Sequence, residues 1–230
     1  MIPWSLLDSA LIPGGGELRL LRRGAEFSIR LDGNELMNSR LGGSEEALAT
    51  LAFARLAGAP SKASPRILIG GLGMGFTLRA VLAALPPDAA IEVAELVPAV
   101  IDWARGAMAE VFGDSLADPR VRIITGDVGA AIRAGRLRYD AILLDVDNGP
   151  DGLSRTANDA LYDAAGLRAA QQALRDGGVL AVWSSGPDPA FTRRLRQAGF
   201  AVEELPVRAM GKRGGARHLI WLAVRRGAAA

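Results

Sequence analysis

The feature that most constrains the fold is an alternation of short apolar runs with helical segments from Arg66 onward. The apolar runs cover residues 66–70, 91–96, 121–125, 139–145 and 177–185, and a segment with helical spacing follows each of them. Strands that are almost continuously apolar and alternate with helices are typical of a parallel sheet covered on both faces. We therefore predict an α/β fold with a doubly wound, mostly parallel sheet whose ligands bind beyond the carboxyl ends of the strands.

The end of the chain departs from this alternation. Residues 200–207 and 217–224 read as two strands joined by a basic, glycine-rich loop with no helix between them. Two consecutive strands without a crossover helix pair in antiparallel fashion, so we expect one antiparallel strand near the edge of the sheet. With these two strands the sheet has seven.

The first part of the chain has a different pattern. Two short strands flank Gly24, Asp32-Gly33 forms a further turn, and a helix with acids in its first turn starts at Ser44. A turn-rich stretch at 57–65 then precedes the first apolar run. We divide the chain into a small β-rich appendage at 1–43 and the main domain at 44–230.

Composition excludes several classes of site. The chain of 230 residues has no cysteine and one histidine, which excludes a disulfide, a cysteine nucleophile and any two-histidine metal motif. We expect no metal site. Lys and Arg number 27 against 25 Asp and Glu, and they concentrate only in the tail, so nucleic acid is not an expected partner. No apolar run approaches the ~20 residues of a membrane span, and no basic segment leads into an apolar stretch at the start. We expect a cytoplasmic protein.

The strongest local signal is GGLGMG at residues 70–75, between a predicted strand and a predicted helix. Gly71, Gly73 and Gly75 give G-x-G-x-G, whereas the dinucleotide fingerprint G-x-G-x-x-G is broken by Phe76. This argues against NAD. Backbone without Cβ atoms lets a nucleoside approach closely, and a tight turn with no ligand is the alternative.

Three acids end the next strands in order. Glu95 lies 22 residues past Gly73, where a carboxylate can accept hydrogen bonds from both ribose hydroxyls. Asp127 follows the third strand and is a candidate contact for an adenine amino group or, alternatively, a helix N-cap. Asp145 ends the fourth strand, and an unpaired carboxylate is costly to bury there for packing alone. Together these features predict a site for a nucleoside that carries a sulfonium group.

On these residues the sequence resembles the class I S-adenosylmethionine-dependent methyltransferase fold and, within it, the spermidine-synthase-like family. The resemblance implies a Rossmann-like methyltransferase fold and makes ILIGGLGMGFTLRAVL the glycine-rich motif, Glu95 the ribose acid, Asp127 the adenine-side acid and Asp145 the catalytic acid. LDG at 31–33 resembles the signature of the family's N-terminal β-domain, and SEEAL at 44–48 stands in the place of a Tyr-His-Glu segment, which would match Glu46 to its Glu. A homodimer is implied as well.

The polyamine-binding positions depart from the family pattern. Met74 stands where aminopropyltransferases have Asp, Leu36 where they have Gln, and Asn148-Gly149 follows strand four. The leading hypothesis is therefore methyl transfer from S-adenosylmethionine to a small-molecule acceptor. Aminopropyl transfer from decarboxylated S-adenosylmethionine is the second hypothesis, a non-catalytic nucleoside-binding scaffold the third, and an RNA methyltransferase resting on the basic tail the fourth.

The catalytic candidates are Asp145, as general base or amine-orienting group, and His218. His218 begins the last strand, and if that strand is antiparallel its start lies at the ligand-binding edge, so His218 is either an acid/base group or an exposed strand residue. Asp147 is a weaker second acid. Trp183 and Tyr162 are either acceptor-pocket residues or core residues.

Overall fold

The N-terminal part of the chain forms an antiparallel sheet of four strands. A computed structural model describes residues 2–56, 64–146, 160–211 and 214–227. The first sheet has the order β1-β2-β3-β4, with β1 at Ser5–Leu11, β2 at Glu17–Arg23, β3 at Glu26–Leu31 and β4 at Asn34–Asn38. Strands β2 and β3 and the turn at Asp32-Gly33 were predicted. Both turn residues have positive φ, 48° and 89°, as a two-residue hairpin loop requires.

Strands β1 and β4 were not predicted. Strand β1 is exposed along nearly its whole length, so its sequence lacks the alternation of apolar and polar residues that indicates a half-buried strand. Strand β4 has five residues and no strong apolar pattern.

Helix α1 (Gly43–Leu56) links the two sheets, and it packs against helix α2 (Phe76–Ala84) and against the second sheet. The turn-rich stretch at 57–65 lies largely outside the described residues. The division of the chain after residue 43 remains a prediction.

The second sheet has seven strands in the order β10-β11-β9-β8-β5-β6-β7. Their bounds are β5 Arg66–Gly70, β6 Ala90–Glu95, β7 Val121–Thr125, β8 Tyr139–Leu144, β9 Leu174–Ser184, β10 Phe200–Arg208 and β11 Arg217–Arg225. Strands β5 to β9 pair in parallel, and β11 pairs antiparallel with both β9 and β10. This confirms the predicted fold class. The strand order reverses between β5 and β8, so the crevice at their carboxyl ends is where a ligand is expected.

The remaining helices cover both faces of this sheet. They are α3 (Pro98–Arg105), α4 (Ala109–Phe112), α5 (Val128–Ala134), α6 (Ala164–Ala173) and α7 (Pro189–Gln197), with a short 3-10 helix at Gly113–Leu116. The helical segment that follows β6 is interrupted after Arg105, at Gly106, a residue type with low helix propensity. None of the helices in the described ranges is both long enough and apolar enough to cross a membrane.

Two hydrophobic cores lie on opposite faces of the second sheet. Ile67 and Ile69 of β5 point into one core and Leu68 points into the other, as the two-residue period of a strand dictates. Apolar residues of the N-terminal sheet, such as Leu20 and Ile29, are fully buried in the first core. The N-terminal sheet is therefore fixed against the main sheet on the side where the crevice opens.

Candidate functional site

The glycine-rich turn brings the ends of β5 and β8 close together. Gly71 has a φ of +88°, and a Cβ at this position would lie 2.5 Å from the backbone oxygen of Asp145. Gly73 (φ +51°) lines a cleft, while a Cβ on Gly75 would lie 2.5 Å from the ring of Phe112. Gly71 therefore allows the backbone of the turn to approach the backbone of Asp145, and Gly73 leaves space at the cleft. Gly75 allows Phe112 to pack against the start of α2.

Glu95 ends β6 with its carboxylate turned toward this turn. The side chain is 8% exposed, and its two oxygens accept hydrogen bonds from the backbone N–H groups of Leu72 (2.9 Å) and Val97 (2.9 Å). A carboxylate offers about four lone-pair sites, so one such group can accept hydrogen bonds from several donors. Glu95 thus orders the glycine-rich turn and lines the cleft; its contact with a ribose remains a prediction.

Asp127 is the N-cap of α5. Its side chain accepts a hydrogen bond from the backbone N–H of Gly129 at 2.8 Å and forms an exposed ion pair with Arg133 at 3.1 Å. It also lines the cleft. The helix-capping alternative is confirmed, and the adenine contact remains a prediction.

These groups surround what we call the first cleft, which holds about 820 Å³ of empty space including its open mouth. The carboxyl ends of β5, β6, β7 and β8 form one wall, and apolar side chains of the N-terminal sheet form the other. The lining includes Gly71, Gly73, Glu95, Val97, Asp127 and Asp145 on the first wall and Ile12, Leu18, Leu36 and Met37 on the opposite wall. A glycine-lined turn, acids at strand ends and an apolar wall fit the sugar and base of a nucleoside.

Asp145 follows β8 and lies where the first cleft meets a second cavity. Its carboxylate accepts a hydrogen bond from the Thr77 hydroxyl at 2.7 Å. Burial and the nearby negative charge of Glu45 raise the pKa of Asp145 to about 7, although the bond from Thr77 opposes this shift. A carboxyl group with a pKa near neutrality can accept and release a proton at physiological pH.

The second cavity, here called the second pocket, is lined by Leu36, Met37, Asn38, Glu45, Leu72, Gly73, Met74, Gly75, Phe76, Asp145 and Trp183. It shares Leu36, Met37, Gly73 and Asp145 with the first cleft. Its charged groups in the described part of the chain are the carboxylates of Glu45 and Asp145, and most of the other side chains that line it are apolar. Two carboxylates among apolar side chains favour a ligand that carries an ammonium group on an aliphatic chain.

Sequence reasoning missed Glu45. The resemblance matched Glu46 to a family acid, but Glu46 is exposed and the preceding residue, Glu45, lines the second pocket. Burial raises the pKa of Glu45, and a hydrogen bond from Ser44 opposes that shift. Acids in a first helical turn ordinarily indicate a favourable interaction with the helix dipole, so the sequence held no signal that set Glu45 apart.

His218 lies near this pocket without lining it. Its Nδ1 atom is 3.0 Å from the hydroxyl oxygen of Ser44, and its ring meets the Trp183 ring edge-to-face at 4.7 Å between centroids. Strand β11 is antiparallel, as expected, which places its first residues at the carboxyl edge of the sheet. Whether His218 takes part in catalysis remains a prediction.

The two aromatic candidates, Trp183 and Tyr162, have different surroundings. Trp183 lines the second pocket, and its buried indole N–H has no hydrogen-bond partner within the described ranges. Tyr162 is 3% exposed and packs edge-to-face on Phe191 in the second core, which confirms the core alternative. Asp147 and Asn148-Gly149 lie outside the described residues. No group of three or more potential metal ligands occurs in the part of the chain that the structure describes.

Comparison with known proteins gives this geometry a family. The model of the spermine/spermidine synthase domain matches residues 48–193. A polyamine aminopropyltransferase of Corynebacterium efficiens is 36% identical over 132 residues, covering 56% of this chain and 24% of that protein. Putrescine N-methyltransferase 3 of Nicotiana tabacum is 33% identical over 116 residues, covering 50% of this chain and 29% of that protein.

Solved structures agree on the fold. The spermidine synthase of Thermotoga maritima superposes with a TM-score of 0.75 at 19% identity, covering 96% of this chain and 72% of that chain. Matches to the first curated relatives span 24% to 36% of their length. The matched domain covers more than half of the residues of this chain, so the chain belongs to the spermine/spermidine synthase family. This confirms the resemblance inferred from the glycine-rich motif and the strand-end acids.

Proposed function

We propose that this chain transfers an alkyl group from a sulfonium nucleoside to an amine, with aminopropyl transfer from decarboxylated S-adenosylmethionine as the best-supported reaction. The observation that carries the proposal is the position of Asp145 at the junction of two pockets. The first cleft has the lining of a nucleoside site, and the second pocket has the lining of an aliphatic ammonium site. Asp145 therefore lies between donor and acceptor.

The residues of the first cleft fit the nucleoside. Gly73 leaves room beside the turn, Glu95 places a buried carboxylate at the cleft, and Val97 and Val100 offer an apolar surface for a base. When bound, the sulfonium nucleoside supplies an activated carbon that an amine can attack. Holding donor and acceptor in line accounts for much of the rate in such a substitution.

Asp145 and Glu45 then act on the acceptor. An amine enters mainly as an ammonium ion, which the two carboxylates attract, and it becomes a nucleophile when it loses a proton. Asp145, whose pKa is raised to about 7, accepts that proton. Leu36, Met37 and Phe76 contact the aliphatic part of the acceptor and exclude water from it.

Aminopropyl transfer takes precedence over methyl transfer, which sequence analysis placed first. The matched domain and the aminopropyltransferase relative favour it. Methyl transfer to an amine remains the second candidate because Met74 puts a thioether, not a carboxylate, in the glycine-rich turn, and because a putrescine N-methyltransferase is among the relatives.

Calorimetric titration with S-adenosylmethionine, decarboxylated S-adenosylmethionine and methylthioadenosine tests the donor. We expect tighter binding of the decarboxylated form, followed by conversion of putrescine to an aminopropylated product. Preference for S-adenosylmethionine with a methylated product would establish methyl transfer instead. If none of the three binds, the transferase proposal is wrong and a scaffold without turnover takes its place.

We further propose that the protein is a homodimer formed through β1. This edge strand exposes Leu6, Leu7 and Leu11, with Leu11 80% exposed, and an edge strand can pair with a second copy. Light scattering should give twice the chain mass for the wild type and the chain mass for Leu6→Ser/Leu11→Ser. A monomeric wild type at micromolar concentration would contradict the proposal. The cytoplasmic location and the absence of a nucleic-acid partner remain predictions.

A further inference from the structure

A chain of short contacts connects His218 to the second pocket. His218 Nδ1 is 3.0 Å from Ser44 Oγ, and Ser44 Oγ is 2.6 Å from Glu45 Oε2. The three residues come from β11 and from the first turn of α1, which are 174 residues apart at Ser44 and His218. Ser44 is 1% exposed, so bulk water does not compete for its hydroxyl group.

Ser44 has a single hydroxyl hydrogen, so it can donate a hydrogen bond to only one of its two neighbours, Glu45 or His218. When Ser44 donates to Glu45, its oxygen accepts from His218, and Nδ1 must carry a hydrogen. When Glu45 is protonated and donates to Ser44, Ser44 donates to His218 and Nδ1 must be bare. The same three residues therefore have two complete hydrogen-bond arrangements, which differ in where one proton is held.

The surroundings bring the pKa values of His218 and Glu45 closer together. Burial lowers the pKa of His218 and raises the pKa of Glu45. Among the charged groups of the surrounding elements, Glu46 on α1 and Asp145 after β8 interact with Glu45. Arg217 precedes His218 on β11 and pairs with Arg208 on β10, so the two-residue period of a strand places both on the face opposite to the imidazole. Strand β9 contributes the uncharged ring of Trp183 on the inner side of the imidazole.

We propose that His218 is a positioning residue that exchanges a proton with Glu45 through Ser44 and so determines whether Glu45 contributes a negative charge to the second pocket. The hydrogen of Ser44 Oγ passes to Glu45 Oε2 as the Nδ1 hydrogen of the imidazolium passes to Ser44 Oγ. One O–H bond forms on Glu45, one N–H bond breaks on His218, and Ser44 ends with one hydrogen as it began. Imidazolium and carboxylate become imidazole and carboxylic acid, with no other reactant.

The consequence for the acceptor rests on the proposed function. With both carboxylates ionised, the second pocket attracts an ammonium group; once Asp145 has taken the proton of the acceptor, protonation of Glu45 by His218 lowers the attraction and favours release of a cationic product. His218 acts through Glu45 and need not touch the substrate.

Nuclear magnetic resonance tests the relay independently of any substrate. His218 is the one histidine of the chain, so its imidazole signals need no assignment. A pH titration of its nitrogen shifts should show Nδ1 protonated while Glu45 is ionised. Glu45→Gln keeps a group that can accept from Ser44 but removes the charge, and we expect it to lower the pKa of His218 by roughly one unit. Ser44→Ala should shift the neutral tautomer away from Nδ1–H.

Glu46→Gln is the matched control, because it removes the same charge from the next residue without a side-chain contact to Ser44. If Glu45→Gln and Glu46→Gln shift the pKa of His218 equally, or if Ser44→Ala leaves the tautomer unchanged, the relay is wrong. These outcomes hold whether or not the protein binds a nucleoside, so failure of the relay and failure of the transferase proposal are distinguishable.

A pair of His218 variants separates proton exchange from a structural bond. His218→Asn retains an N–H donor near Ser44 but cannot titrate, whereas His218→Ala removes both properties. We expect both variants to lose the same inflection from the pH profile of kcat, and only His218→Ala to raise the KM of the acceptor. If His218→Asn restores the wild-type pH profile, His218 has a structural role alone.

Discussion

The first cleft and the second pocket share Asp145 but are built in different ways. Most of the polar groups of the first cleft lie at or just after the ends of successive parallel strands. Because these strands are neighbours in the sheet, residues at their ends lie along one edge, and the sequence pattern alone indicates this. The second pocket combines β4, the start of α1, the glycine-rich turn and the end of β9. Local motifs thus specify the first cleft, whereas packing of distant segments specifies the second pocket.

The difference suggests how the two sides can diverge. Changes in the first cleft disturb the backbone of the turn, since Gly71 approaches Asp145 closely and Glu95 holds two amides. Changes in the second pocket alter side chains on separate elements. The lining of the second pocket can therefore change without disturbing the turn that forms the first cleft.

Replacement of the shared acid should have the largest effect. Asp145→Asn removes the proton acceptor but keeps a group of similar size beside Thr77, so we expect kcat to fall by about 10²- to 10⁴-fold. Methylthioadenosine should bind within a few-fold of the wild type in calorimetry. Equal loss of binding and turnover would make Asp145 a donor contact and would remove the distinction between the two sides.

A change at Glu95 should affect the first cleft alone. Glu95→Gln removes a charged acceptor, for which hydrogen bonds contribute about 1.5–3 kcal/mol, so methylthioadenosine should bind about 10- to 100-fold more weakly. Glu92→Gln on the same strand is the control, because Glu92 contacts Arg138 and Tyr139 away from the cleft; it should lower stability and leave binding unchanged. Unchanged affinity in Glu95→Gln would exclude the ribose role.

A change at Glu45 should affect the second pocket alone. Glu45→Gln removes one of two carboxylates, and we expect the KM of the amine acceptor to rise about 10-fold while methylthioadenosine binds as before. Glu203→Gln, an exposed residue that pairs with Arg55 on the surface, controls for the loss of one charge. A weaker nucleoside affinity in Glu45→Gln would contradict the assignment of Glu45 to the acceptor side.

The raised pKa of Asp145 predicts a pH dependence of stability. Its ordinary value is 3.8 and its value in the folded protein is about 7, so the folded state holds the proton more tightly than the unfolded state. The stabilisation is fully present below about pH 4 and is lost as the pH rises to about 7. Asp145→Asn does not titrate, so its stability relative to the wild type should increase over this range.

We expect the stability of Asp145→Asn relative to the wild type to increase by about 1–2 kcal/mol. This is less than the full pKa shift of Asp145 implies, because its carboxyl group opens onto the two pockets. Urea unfolding at pH 4.5 and pH 7.5 measures it. Asp114→Asn, which removes an exposed carboxylate, is the control. A constant difference between Asp145→Asn and the wild type would show that Asp145 is ionised throughout.

The smallest effect is expected at Asp127, where two roles overlap. Asp127→Ala loses the helix cap and should destabilise the protein by about 1 kcal/mol, whereas Asp127→Asn keeps the cap and loses only an exposed ion pair of little worth. If Asp127 also contacts the base, both variants should weaken methylthioadenosine binding by a few-fold. Unchanged binding in both would leave Asp127 as a cap.

Sequence alone determined the main sheet and much of the first cleft. Buried parallel strands are continuously apolar, the G-x-G-x-G turn requires positive φ at its glycines, and acids at successive strand ends fall on one edge; each of these is a local property. Strand β1 and strand β4 escaped prediction because exposure and shortness removed the periodic signal.

Only the tertiary structure decided which side chains meet. Glu45 and Glu46 are chemically alike and adjacent, and the orientation of α1 against the second sheet turns one toward Asp145 and leaves the other exposed. The contact of His218 with Ser44 depends likewise on the antiparallel placement of β11 beside β9. Such contacts join segments far apart in the chain, and their energies depend on burial, which no spacing of residues encodes. The sequence thus determined the fold and the strand-end wall of the first cleft, and packing determined the second pocket.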